Sequence, residues 1–164
     1  MKKILLFSLS LITLISCETN PIPIEGCTDP NAINYNSQAD TDNNSCDFTA
    51  DILFYLTQSA GGDLGNAGVD KLTFYINENN IGSQYADNDG LFITAPEQDP
   101  PDCFNNYFTT GSVYWEDNSW STVSLESIDE TGYVWFSETS QIGANECLIV
   151  GITSKKLKVY QENN

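Results

Sequence analysis

The 164-residue sequence contains no histidine and no arginine, and its single methionine is the first residue. Without histidine, neither a Ser-His-Asp nor a Cys-His catalytic device can be built. Without arginine there is no bidentate clamp for phosphate or carboxylate. Cations are scarce altogether: six lysines face 23 acidic residues, and the net charge is −17. Such a surface repels nucleic acid, whose binding depends on neutralising phosphates with Lys and Arg, so nucleic acid is excluded as a partner. It also repels anionic lipid headgroups while favouring solubility and cation binding. No glycine-rich phosphate loop follows a strand pattern. Zinc is disfavoured by the missing histidines and by the lack of any CxxC spacing. Long apolar runs are absent too. Residues 4–15 form the one extended apolar stretch, interrupted by Ser8, Ser10 and Thr13, and a membrane-spanning helix needs about 20 apolar residues.

What that stretch does resemble is a secretory leader. Lys2 and Lys3 supply a positive start, and residues 4–15 have the length of a signal-peptide apolar region. The segment ends in Leu14-Ile15-Ser16-Cys17, which resembles the lipobox of bacterial lipoproteins. The resemblance implies a signal peptide over 1–16 and a diacylglyceryl group on the Cys17 thiol. It also implies an extracytoplasmic, lipid-anchored protein, expected at the outer membrane and at the cell surface. Membrane attachment would then come from the anchor, since each buried methylene of an acyl chain contributes roughly 0.8 kcal/mol. Removal of 1–16 would leave four lysines (Lys71, Lys155, Lys156, Lys158) against the 23 acids, a net charge of −19. Glu18 follows the anchored cysteine, and an acidic residue there directs surface export in some bacteria and inner-membrane retention in others.

Four further cysteines, Cys27, Cys46, Cys103 and Cys147, make an even number in an exported chain, which favours two disulfides. Three pairings are open. Cys27–Cys46 and Cys103–Cys147 are preferred because each pair falls inside one apparent module. Residues 17–25, with Pro21 and Pro23, read as an extended lipidated tether. Residues 26–48, GCTDPNAINYNSQADTDNNSCDF, resemble a short cysteine-bounded module of exported proteins in some Gram-negative bacteria. Gly26, Cys27, Thr28, Asp29, Ala32, Asn34, Tyr35, Ala39, Asp42, Ser45 and Cys46 carry the likeness. Asn43 and Asn44 replace the usual Asp-Gly. The resemblance implies a setting among surface proteins and adhesins and attaches no enzymatic role.

The same module has a chemical reading. Asp40, Asp42 and Asn44 stand at positions 1, 3 and 5 of a calcium-type loop, with the Cys46 carbonyl at position 7 and Asp51 at position 12. The likeness to the acidic calcium repeats of thrombospondin type is loose: Ser45 stands where such loops want glycine, and Asp replaces the bidentate Glu. Calcium is therefore the one cofactor the sequence suggests, and a solvated acidic turn closed by a disulfide is the competing reading.

Residues 50–162 carry the main domain. Residues 52–56 form an apolar run of strand type, and apolar residues alternate over 71–76 with period two. Residues 77–80 read as a turn into a partner strand at 81–83. Further strands are expected at 111–116, 120–128, 133–138, 147–152 and 156–160, with turns at 117–119 and 131–132. Residues 60–68 and 96–102 read as loops. Short strands separated by turn signals predict an all-β domain, an antiparallel β-sandwich. The pattern resembles the immunoglobulin-like or transthyretin-like sandwiches of bacterial exported proteins.

Two site readings remain. Trp115, Trp120 and Trp135, with Tyr114, Tyr133 and Phe136 beside them, fall in strands expected to be neighbours. Trp120 has the parity opposite to Val123 and Leu125, so an outward aromatic row could stack on sugar rings. Alternatively the rings fill the core, as strand-favouring aromatics commonly do. Glu116 and Glu126 could form the carboxylate pair of a weak glycosidase, since that chemistry needs only two acids at a set separation. The sequence as a whole predicts a non-catalytic envelope protein that presents a sandwich to a protein or glycan partner.

Overall fold

A computed structural model describes residues 21–157. The Cys17 lipobox and the expected signal peptide lie outside these residues. Ten strands and one helix follow in order: β1 (Glu25–Gly26), β2 (Thr41–Asp42), β3 (Asp47–Thr57), α1 (Gln58–Asn66), β4 (Lys71–Ile76), β5 (Asn79–Tyr85), β6 (Thr94–Ala95), β7 (Thr109–Glu116), β8 (Trp120–Asp129), β9 (Val134–Gly143) and β10 (Cys147–Ile152). The expected strands lie within these elements except the last, and except for Tyr133, one residue before β9. Residues 154–157 form a helical turn instead of the start of a strand at 156–160. The turn buries Leu157 in the core, and the rest of that segment lies outside the described residues.

β1 and β2 form a small parallel pair, and the other eight strands form two four-stranded sheets, compatible with a β-sandwich. In the first sheet β3 is central. β10 pairs with it in parallel on one side, and β7 (antiparallel) and then β6 (parallel) pair with it as well. The second sheet runs β5-β4-β8-β9 and is antiparallel throughout. The expectation of a wholly antiparallel domain is thus corrected by the β3–β10 and β3–β6 pairs. Parallel neighbours need long connections, and here β10 reaches β3 only after the intervening strands have built the opposite sheet.

The two sheets share one core. Ile52, Phe54 and Leu56 from β3, Val113 from β7 and Val150 and Ile152 from β10 meet Leu72, Phe74 and Ile76 from β4 and Val123 and Leu125 from β8. The rings of Phe54 and Phe74 lie 5.1 Å apart across the layers. The alternate residues Leu53 and Tyr55 point to the other side of β3, yet they too are buried. They form a second small cluster with Ala95, Cys103 and Phe108 under the 96–108 segment, which the Cys103–Cys147 disulfide ties to β10. Tyr55 lies so close over β10 that a Cβ on Gly151 would stand 2.6 Å from its hydroxyl. An apolar strand with both faces covered reads as a continuous hydrophobic run, as 52–56 does.

Residues 60–68, expected as a loop, are mostly helix. Thr57 caps α1, its Oγ1 accepting a hydrogen bond from the Ala60 amide at 3.3 Å. Ala60 and Leu64 turn into the core. Three glycines make AGGDLG a poor helix by propensity, so burial of that face carries the helix.

Local chemistry sets the β4–β5 hairpin. Asn77 and Glu78 both have positive φ, 48° and 66°, the two-residue geometry whose twist matches antiparallel strands. The Asn77 side chain accepts from the Ser124 amide at 2.9 Å, and its own amide donates to the Ser124 carbonyl. The turn is thereby joined to β8.

The 26–48 module is closed by Cys27–Cys46 and docks on one end of the domain. Cys27, Ala32 and Cys46 bury Phe48 at the start of β3, with Trp115 and Ala144 against them. Polar ties fix it: the Ile33 amide donates to the Asp47 carbonyl, the Asn34 side chain bridges to Asp47 in both directions, and Asn145 Nδ2 donates to the Asn31 carbonyl. Residues 47–48, assigned to the module in the sequence, are the first two of β3.

Candidate functional site

The tryptophans do not share a surface. The 117–119 turn carries the chain from the first sheet to the second, so β7 and β8 are not paired neighbours. Trp115 is half-buried, stacked on Phe48 at 6.1 Å, and its indole donates to the Asn118 carbonyl at 2.6 Å. Trp135 is buried, and its indole donates to Asp129 at 2.8 Å while Tyr133 meets it edge-on. Only Trp120 is exposed, at 61 %, as its parity predicts. It sits at the end of β8 opposite Gly143, on the outward face of the second sheet. The expected aromatic row is therefore divided among a module contact, a core position and one free ring.

Glu116 and Glu126 are separated as well. Glu116 stands on the outward face of the first sheet beside Asp47. Glu126 stands on the outward face of the second and accepts from Ser137. The core lies between them, which removes the carboxylate-pair geometry of a glycosidase.

The acidic loop is also dispersed. Asp40 accepts from the Ile24 amide and the Thr41 hydroxyl, both at 3.1 Å, and Asp42 accepts from the Asn44 amide at 2.9 Å. The Cys46 carbonyl accepts from the Asp117 amide, and Asp51 lies within β3 accepting from Ser112 at 2.6 Å. Among the described residues no group of three or more His, Cys, Asp or Glu side chains could hold a metal ion. The Cys46 carbonyl and Asp51, positions 7 and 12 of the expected calcium loop, are engaged at strand entry and in strand pairing.

Two other carboxyls have their acidity shifted, both at the β8–β9 turn. Partial burial raises the Asp129 pKa. Hydrogen bonds from the Thr131 hydroxyl, the Trp135 indole and the Tyr133 and Thr131 amides outweigh it, and the net shift is downward. The Glu130 carboxyl is lowered by its own amide first and by the Asp70 and Lys71 amides, against desolvation and the Asp129 charge. Both groups knit the turn to β4 and β9.

A different surface gathers binding features: the surroundings of Tyr114 on β7. Tyr114 is 72 % exposed and stands between two clefts. One, of about 250 Å³, is lined by Ile76, Asn77, Asn79 and Ile81 together with Ser112, Val113 and Tyr114. The other, of about 210 Å³, lies between Tyr114, Trp115 and Glu116 and the residues Ile33, Asp47 and Phe48. An aromatic ring, amides, a hydroxyl and two carboxylates thus meet aliphatic walls, and no lysine lines either cleft. Tyr114 was visible in the sequence only as a neighbour of Trp115. Its partners Ile33, Asn77 and Ile81 come from distant segments, and nothing in their spacing announces the site.

No protein-family model, no curated protein and no solved structure matches this chain.

Proposed function

We propose that this chain is a non-catalytic lipoprotein of the bacterial cell envelope, anchored through Cys17, that presents a β-sandwich of immunoglobulin-like or transthyretin-like type for interaction. The observation that carries the binding reading is the Tyr114 surface, where an exposed ring is flanked by two clefts with mixed polar and apolar walls. The docked, disulfide-closed 26–48 module supports a role outside the cytoplasm, where disulfides persist. Anchoring is tested by metabolic labelling with a palmitate analogue. Label should enter the chain and be lost in Cys17→Ser, and label retained in that variant would refute the lipid anchor. Surface display is tested by protease shaving of intact cells, and a domain that is cut only after lysis would refute it.

A second reading is a carbohydrate-binding module, favoured by the exposed Trp120 ring on a strand face rich in hydroxyls. Retention on a glycan affinity gel, lost in Trp120→Ala with unfolding midpoint unchanged, would support it. Absence of retention on a broad glycan array would end it.

A further inference from the structure

We propose that the Ser112–Glu116 half of β7 is a strand-addition site for an extended, basic segment of a partner protein. The proposal rests on the binding reading above and names the occupant of that same surface. Among the described residues β7 pairs with β3 alone, so its other edge carries no paired strand, and of the Ser112–Glu116 backbone there the Glu116 carbonyl accepts from the Asn118 amide. An open edge presents a row of backbone donors and acceptors that another chain can use. The two halves of this edge differ. Behind Thr109 and Gly111, β5 of the opposite sheet packs against the inner face of the strand: Ile81 Cγ2 lies 2.9 Å from where a Cβ on Gly111 would stand, and Thr109 meets Gly82. Beyond Gly111 this packing loosens into the 250 Å³ cleft, which Ile76 and Ile81 still line.

The lining of this cleft fixes its position. Consecutive residues of a strand point to opposite faces, yet Ser112, Val113 and Tyr114 all line it. A space that touches three successive residues runs along the strand edge. An added strand there would alternate its side chains between two environments. Those turned inward meet Val113, Ile76 and Ile81, an aliphatic wall. Those turned outward lie alongside Tyr114 and Glu116, with Asp47 across from Glu116 in the β3–β7 register. Strand addition draws affinity from main-chain bonds and specificity from such alternate pockets.

Charge complementarity identifies the occupant. Among the described residues the carboxylates of Asp47 and Glu116 form no ion pair. The one ion pair among the described residues is Lys156–Glu138 on β9, and Lys71 lies over Tyr85. The chain's net charge of −17 adds long-range attraction for a cationic segment. The expected recognition pattern is aliphatic and basic residues in strict alternation over about five positions, the length of the open half-edge.

The test uses the full chain in detergent and three peptides of about eight residues: alternating Lys and Val, alternating Glu and Val, and the Lys-Val sequence N-methylated on alternate amides. The Lys-Val peptide should bind at least about tenfold more tightly than the Glu-Val peptide. It should slow hydrogen exchange at the amides of 112–116, and N-methylation should cost about tenfold or more. Glu116→Lys, an exposed change without a hydrogen-bond partner to lose, should weaken the Lys-Val peptide about fivefold or more. Equal binding of the N-methylated peptide, or exchange protection confined to another strand, would overturn strand addition. Equal binding of the Glu-Val peptide would overturn the basic occupant. Glycan binding that requires Tyr114, with no binding of any peptide, would overturn this proposal and leave the interaction-domain reading standing.

Discussion

The β5-β4-β8-β9 sheet keeps one face dry and one face wet, whereas β3 at the centre of the opposite sheet is covered on both sides. In the antiparallel sheet Leu72, Phe74 and Ile76 are buried, while Thr122, Ser124 and Ser137 of its neighbours face out. Its strands alternate over much of their length, with buried exceptions at Thr73, Gln84 and Ser127 and a break at the consecutive core residues Trp135 and Phe136. In β3, Ile52, Phe54 and Leu56 meet the shared core, and Leu53 and Tyr55 meet the disulfide-tied 96–108 segment. One sheet is stabilised by a single interface and the other by two, and the second interface depends on a covalent clamp. A strand's hydrophobic pattern thus reports how many of its faces are covered.

The largest expected effect tests the shared core. Phe54→Ala should lose about 3–5 kcal/mol by urea unfolding, because it empties the contact with Phe74 between the layers. A loss near 1 kcal/mol would mean that the sheets are held together elsewhere. Next comes the second interface. Replacing Cys103 and Cys147 together by Ala should lose about 4 kcal/mol in the loop-entropy model, against about 3 for Cys27 with Cys46, since the closed loops differ in length. Loss of the longer link should also open 96–108 to protease before the rest of the domain. If the two double variants unfold alike and 96–108 stays protected, the clamp does not maintain the cover of β3.

Thr57→Ala should lose about 1–2 kcal/mol, because the hydroxyl caps α1 and also donates to the Ile152 carbonyl. No change in the urea midpoint would show that burial of Ala60 and Leu64 holds the helix unaided. A smaller effect lies at acid pH. Asp129 and Glu130 have lowered pKa values in the folded chain, so the stability they contribute is fully present above the ordinary carboxylate range. It is lost as pH falls through the lowered values. Asp129→Asn should flatten the stability curve below about pH 4, and an unchanged slope there would assign the acid sensitivity to other groups. The smallest effect is expected from chelation, which should shift the melting temperature less than reduction of Cys103–Cys147 does. A calcium-dependent rise abolished in Asp42→Ala would restore a metal role to the 26–48 module.

Legibility in the sequence followed local cause. The β4–β5 hairpin and β10 were readable because alternation and turn residues lie side by side in the chain. Helix α1 was not, since its glycines argue against a helix and only burial against the core overrides them. The carboxylate pair and the Trp115–Trp120 pair were misplaced because the 117–119 turn changes sheets, and a turn's residues do not say which sheet the next strand joins; Trp135 shares a sheet with Trp120 but is buried in the core. The Tyr114 surface was hidden because its walls come from four separate segments.

By itself the sequence determined the β-rich composition, the acidic surface, the lack of histidine and arginine chemistry, and the turns whose backbone needs particular residues. These follow from properties each residue carries alone or shares with chain neighbours. The tertiary structure alone decided that β3 is buried on both faces, that the Cys46 carbonyl and Asp51 are engaged at strand entry and in strand pairing, and that one edge of β7 carries no paired strand among the described residues. Each of these depends on which distant segments meet, and that is set by the joint burial of the core.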